Sequence, residues 1–308
     1  MTIKDRSRTC LMVSCAIIVI ALLLSLFGLG INLGIDFAGG LSMQYDMGKQ
    51  VVQADVEKVL ADMGVEGTVT VQGAASNEVN IRIKEVGSEE VQKIQSTFME
   101  KIAEIYPDVK QNGEVNYVGP IAGATLLRNA ILSVLIASAL MLVYIAFRFD
   151  LDSGLAAVFG LIHDVLMMLA FMVLLRSVVQ MNSTFIAAML TIVGYSINNT
   201  IVIFDRIREN ARKMASAART EVVNRSVKEC LGRTINTTLT TLITIVMLYI
   251  LGVASIKEFA LPIIIGILSG VYSANMINGY VWAFLQEKRK ARKAAAAKQV
   301  QKTGKAKA

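Results

Sequence analysis

Charge is scarce in this sequence. Asp, Glu, Lys and Arg make up 18% of its 308 residues, whereas soluble domains carry about a quarter. With 54% hydrophobic residues and a mean hydropathy of +0.55, an ordinary soluble fold is excluded. Cysteine is rare as well. Cys10, Cys15 and Cys230 are scattered, and such a set makes neither a disulfide frame nor a metal site. Between Gly34 and Leu126 there is no Cys, no His and no Gly-rich phosphate loop. That segment carries no catalytic set, and neither an enzyme activity nor a cofactor is expected.

Long charge-free runs are what the chain has in quantity: Cys10–Ile35, Asn129–Phe147, Ser177–Phe204, Thr234–Ile256 and Phe259–Gln286. Ser153–Leu175 is interrupted only by His163 and Asp164. A spanning helix needs about 20 mostly apolar residues. Six transmembrane helices are therefore expected, over 10–33, 127–148, 153–175, 183–204, 234–253 and 259–285. The first follows Lys4, Arg6 and Arg8 as a signal peptide would, but its apolar stretch is too long and no small-residue cleavage site follows. It is expected to stay uncleaved.

Lys and Arg set the orientation. With the N-terminus inside, the inner segments (1–9, the connection at Arg148, 205–233 and the tail 286–308) hold 21 of the 31. Both termini are therefore expected in the cytoplasm. The net charge of +7 lies in these inner segments, which suits topology and anionic lipid, not nucleic acid.

One soluble-looking segment remains, 34–126, with 14 acids and seven bases. "LSMQYDM" alternates like a strand, and Val52, Val56, Val59 and Leu60 have helix spacing. "TVTVQGAASNEVNIRIKEV" reads as a hairpin. A second helix starts near Ser88, as N-cap, and stops at Pro107. "GEVNYVGP" is a last strand. The order β-α-β-β-α-β predicts an extracytoplasmic α+β domain of ferredoxin-like type on a polytopic α-helical membrane protein. Its acids read as a solvated face or as a surface for polypeptide. Gly34, Gly39 and Gly40 before it and Gly119 and Gly123 after it suit tight turns. The two junctions are expected side by side, as a domain–membrane hinge.

Within the apolar runs a few polar side chains stand out, because burying one without a partner costs several kcal/mol, about 2–7 by transfer scales. Tyr195 and Asn199 share a helix face, with Asn198 beside them. Thr234, Thr237, Thr241 and Thr244 form a hydroxyl stripe. Gly266, Gly270 and Ala274, then Asn275 and Asn278, give the sixth helix a small and polar face that permits close packing. These residues read either as helix–helix glue or as a functional bundle face. Charged groups at depth are stronger hints of function. Asp164 with His163 lies midway along the third run, and an imidazole titrates near neutrality. Both a satisfied buried pair and a place in an ion path fit. Arg233 enters the fifth run from the inside, within reach of the level of Asn199, or snorkels to the interface.

Several of these residues belong to motifs. "GIDFAGG", "VGPIAGATLLRNA", "HDV", "AAMLTIVGYSINNTIVIFDRIREN" and "GRTINTTLTTL" occur in this order, and with them nearly the whole chain resembles the SecD/SecF family. That family is a branch of the resistance-nodulation-division superfamily, and the likeness is to its smaller, SecF-type subunit. The resemblance implies assistance to gradient-driven protein secretion in the bacterial plasma (inner) membrane. It implies SecD, the SecYEG translocon and the unfolded exported polypeptide as partners, with YajC as a further candidate. It also implies that the position of Asn199 is usually an aspartate that carries protons, opposite the arginine at Arg233. Here an amide stands there. It fills the same volume but cannot bind and release a proton. Coupling elsewhere (through Asp164 or a partner subunit), coupling to another ion, and a substitution mimicking the protonated acid all remain open. A half-size exporter of small molecules or lipids and a passive scaffold subunit are the rival readings.

Overall fold

Alternation and helix periodicity each find their layer in the computed structural model, which describes residues 3–72, 76–84, 86–112, 115–177 and 179–305. The helix α1 (Ile3–Leu26) leads to a one-turn helix α2 (Ile35–Ala38) and then into the small domain: β1 (Gly40–Asp46), α3 (Gln53–Asp62), β2 (Gly67–Gln72), β3 (Glu78–Ile83), α4 (Val91–Ile105), β4 (Lys110–Gln111) and β5 (Asn116–Val118). The sheet is antiparallel with order β2-β3-β1-β4, and β5 also pairs with β1. This is the split-βαβ topology.

Leu41, Met43 and Tyr45 alternate inward from β1, opposite Ile83, Ile81 and Val79 of β3. They pack on Val56, Val59 and Leu60 of α3 and on Phe98 and Ile102 of α4. Tyr45 lies 5.1 Å from Phe98, ring to ring, and burial pushes its phenol up to about 12. Two local readings change. The helix α4 starts at Val91 with Glu90 at its N-cap, so Ser88 caps nothing. The last strand is two short pieces, and the two-residue β4 was too short to show periodicity. The turn at Gly73, Ala74 and Ala75 lies outside the described residues.

The rest is helical: α5 (Pro120–Arg148), α6 (Leu151–Leu174), α7 (Ser183–Lys213), α8 (Arg219–Leu251), α9 (Ala254–Ser273), a π-helical turn at Ala274–Asn278, and α10 (Gly279–Lys305). Six stretches are long and apolar enough to cross a membrane, the last running through α9, the π turn and α10. The segment 205–233 is mostly helix, not loop. Ion pairs Arg206–Glu209, Lys213–Glu209 and Arg225–Glu229, three or four residues apart, hold the polar ends of α7 and α8 in helical form. The basic tail likewise continues as helix to Lys305.

The most apolar windows of α6, α7 and the α9–α10 span are 56%, 56% and 61% buried, against 11%, 6% and 11% for α1, α5 and α8. The bundle centre is thus α6, α7 and α9. Missing side chains make that packing possible: a Cβ on Gly266 would stand 2.5 Å from Ile192 Cγ1, and one on Gly160 2.3 Å from Asn278 Nδ2.

Candidate functional site

Close packing of α9 on α7 brings one carboxylate into contact with three hydroxyls. Asp164, on α6, is 1% exposed. Its Oδ1 accepts from Ser269 Oγ at 3.0 Å, and its Oδ2 from Ser273 Oγ at 2.9 Å. Ser196 Oγ of α7 also donates to Oδ2, in a short contact. His163 Nδ1 lies 3.0 Å from Oδ1. Ser269 and Ser273 are four apart on α9 and so share a face. Gly270, between them, packs closely on Ser196: a Cβ there would stand 3.2 Å from Ser196 Oγ.

Among the described residues no Lys or Arg pairs with Asp164, and His163 is its only cationic candidate. The His163 ring lies 6.2 Å from that of Tyr272, and its Nε2 is buried without a hydrogen bond. The Tyr272 hydroxyl donates to the Cys10 carbonyl and accepts from Ser14 Oγ, which ties α1 into the same cluster.

Hydroxyls suit both charge states of this carboxyl, because each donates one proton and offers lone pairs. Facing carboxylate, the serines donate. Facing a protonated carboxyl, one accepts and turns its own proton to a backbone carbonyl. Ser273 Oγ already lies 3.2 Å from the Gly270 carbonyl.

The other singled-out residues are dispersed. Asn199 is 3% exposed, and its buried Nδ2 makes no hydrogen bond among the described residues. Asn198 is exposed, since consecutive helix residues point about 100° apart. The pair therefore does not form one site. Arg233 is exposed, and no hydrogen bond joins it to Asn199. Tyr195 reaches the Thr237 carbonyl and Thr241 Oγ1, both at 3.5 Å. Thr237, Thr241 and Thr244 donate to carbonyls of their own helix. Asn275 accepts from Thr234, and Asn278 donates to Thr200 Oγ1 at 3.1 Å. The expected polar face is thus three separate small contacts. The last two come from the π turn, where Asn275 meets α8 and Asn278 meets α7.

At the domain side the hinge glycines do meet. Gly39 (φ +79°) and Gly40 (φ +134°) need the left-handed freedom of glycine. A Cβ on Gly39 would stand 3.1 Å from Pro120 Cα, and one on Gly123 would stand 3.0 Å from the Gly39 nitrogen. The Gly34 N–H donates to the Met181 carbonyl at 2.8 Å, and Gly119 caps α5. A second connection has no signal in the sequence. Glu258, on the first turns of α9, pairs with Arg82 of β3 and accepts from Asn182 Nδ2 at 2.6 Å. Asp36 of α2 accepts from the Ser183 N–H at 2.9 Å. So α9 touches the small domain near one end and Asp164 further along.

Known proteins share this arrangement. Residues 97–288 match the family described as protein export membrane protein SecD/SecF, C-terminal, and residues 24–51 match the SecD/SecF GG motif. The chain is 39% identical to protein translocase subunit SecF of Alicyclobacillus acidocaldarius, covering 82% of each chain. It is 37% identical to that of Calditerrivibrio nitroreducens, over 87% of this chain and 88% of the relative. Protein translocase subunit SecDF of Bacillus subtilis is 36% identical over 82% of this chain but only 34% of its own length. The crystal structure of SecDF from Thermus thermophilus, a translocon-associated membrane protein, superposes with a TM-score of 0.80 at 31% identity. That match covers 93% of this chain and 39% of the larger one. By motif, sequence and fold alike, the chain belongs to the SecD/SecF family of protein export membrane proteins.

Proposed function

We propose that this chain is an auxiliary, non-enzymatic subunit of the Sec export machinery, paired with SecD beside SecYEG in the plasma membrane, with both termini cytoplasmic. It assists the passage of unfolded polypeptide at the expense of the ion gradient. Relatives in which one longer chain is named SecDF support the pairing with SecD. The exposed face of α8 fits it too: Arg233, Asn236, Thr237, Thr240 and Thr244 are polar residues left uncovered on an apolar span. Such a face suits a partner helix better than lipid.

One observation carries the mechanistic part. Asp164 is a titratable group buried in a cage that satisfies both of its charge states, while Asn199 can carry no proton. The relay therefore runs through Asp164, with His163 as its neighbour and Ser196, Ser269 and Ser273 as positioning residues. Movement passes along α9 to the Glu258–Arg82 contact and so to the small domain, with the glycine junctions as hinge.

The test is secretion in cells that depend on this chain, with and without an uncoupler, together with affinity purification in mild detergent. Recovery with SecD and SecY and uncoupler-sensitive secretion are expected. Recovery alone, or secretion indifferent to the gradient, contradicts the reading.

A further inference from the structure

At the end of the bundle away from the small domain, four helix ends enclose a cavity of about 270 Å³. Its walls include Asp150 before α6, Arg208 and Arg212 on α7, Arg219 at the start of α8, and Trp282 and Gln286 on α10. None of the three arginines pairs with a carboxylate among the described residues, although neighbouring cations do, as in Arg148–Asp205 and Arg206–Glu229. Three donor nitrogens on two side chains are buried and unused. Arg219 Nε and Nη1 make no hydrogen bond, and neither does Trp282 Nε1, on a side chain only 4% exposed. Burying such donors without an acceptor is costly, so a site that keeps them is built for an acceptor from outside.

The acceptor is an anion. Three guanidinium groups line this cavity with one acid, Asp150, whose Oδ1 accepts from Ser153 Oγ at 2.6 Å, and Arg208 and Arg212 also border Asp205 and Glu209 in the adjoining groove. Gln286 is occupied by Asp152 at 2.8 Å. The 33-residue helix α8 begins at this cavity with Ala218 as N-cap, which makes no side-chain cap hydrogen bond, and Glu221 is the one acid in its first turn. Guanidinium forks match the oxygens of phosphate.

Position selects the source. The cavity opens where the charge-free runs end, and Phe147, Leu151 and Phe284, next to its walls in sequence, are 89%, 68% and 61% exposed. Apolar surface of that kind accepts acyl chains. We propose that Arg208, Arg212, Arg219 and Trp282 form a binding site for a phosphate group, supplied by an anionic phospholipid whose chains lie along the exposed apolar residues.

Trp282 is the only tryptophan in the chain, so its emission reports directly on the site. The full chain in detergent is titrated with dihexanoyl phosphatidylglycerol, dihexanoyl phosphatidylcholine and inorganic phosphate. A saturable emission change with the glycerol lipid is expected, with the choline lipid much weaker. Each lost arginine weakens binding about fivefold. Arg219→Gln should show this, and so should Arg208→Gln, an exposed position where folding is not at stake. Saturation by inorganic phosphate at the same concentrations supports the phosphate site and assigns it to free phosphate instead of lipid. Equal responses to both lipids, or titrations unchanged in both variants, overturn the proposal.

Discussion

Asp164 and Asn199 are both almost fully buried, at 1% and 3% exposure, on neighbouring helices of one bundle. Asp164 has four polar contacts from three helices. Asn199 has a buried amide nitrogen with no hydrogen bond among the described residues. A buried amide whose nitrogen has no partner acts as packing with a small polar cost. A carboxyl caged by serines is different, since every partner can answer a change in its protonation. The comparison teaches that family position and present environment need not agree. The motif points to residue 199, whereas the environment fit for an ion relay surrounds residue 164.

The largest effect should come from Asp164→Asn. It keeps the volume and most of the hydrogen bonds but removes the titratable group, so secretion should drop to the level seen with an uncoupler. Asn199→Ala should leave secretion near its starting level. Equal losses in both would erase the distinction between the two sites.

Next in size are changes to the seam that builds the cage. Gly160→Leu and Gly270→Val push side chains into Asn278 and Ser196. Overpacking of this kind costs about 1–3 kcal/mol and should lower the melting temperature of the purified chain in detergent. Gly270→Val should also reduce secretion, because it displaces a ligand of Asp164. Gly194→Val, a position with nothing nearby to strike, should be milder in both measurements.

A smaller effect is expected at the far end of α9. Glu258→Gln removes the ion pair with Arg82, a partly exposed contact worth about 1 kcal/mol or less. Stability should hardly change. Amide hydrogen exchange around Asn182 and across Asn32–Gly39 should nevertheless rise, since this contact ties the small domain to the bundle. Unchanged exchange would leave the link to the glycine junctions and the Asp36–Ser183 contact.

Asn199→Asp should matter least to uncoupler sensitivity, as the amide nitrogen now at that position makes no hydrogen bond among the described residues. Increased sensitivity would return the relay to α7.

Much of this was legible in the sequence. Charge-free runs marked the helices, alternation in 41–45 and 79–83 marked two strands, and the order of elements their arrangement. Asp164 stood out because a charge deep in an apolar run is conspicuous. Its cage did not, since Ser196, Ser269 and Ser273 are unremarkable among many small residues, and only the packing of α9 against α7 makes them neighbours. The Glu258–Arg82 contact was hidden for the same reason: 176 residues separate its partners. The three arginines around Trp282 read as topology signals, because one sequence cannot tell a paired cation from an unpaired one. Asn198 and Asn199 misled by adjacency, which on a helix means different faces.

The central claim, that Asp164 is the group that takes up and releases the proton, can be tested by infrared difference spectroscopy. The complex with SecD is followed through a pH change, and the carboxylic C=O stretch is compared between the starting chain, Asp164→Asn and Asn199→Ala. The account predicts a band that vanishes in Asp164→Asn and persists in Asn199→Ala. A spectrum that Asp164→Asn leaves unaltered would contradict it.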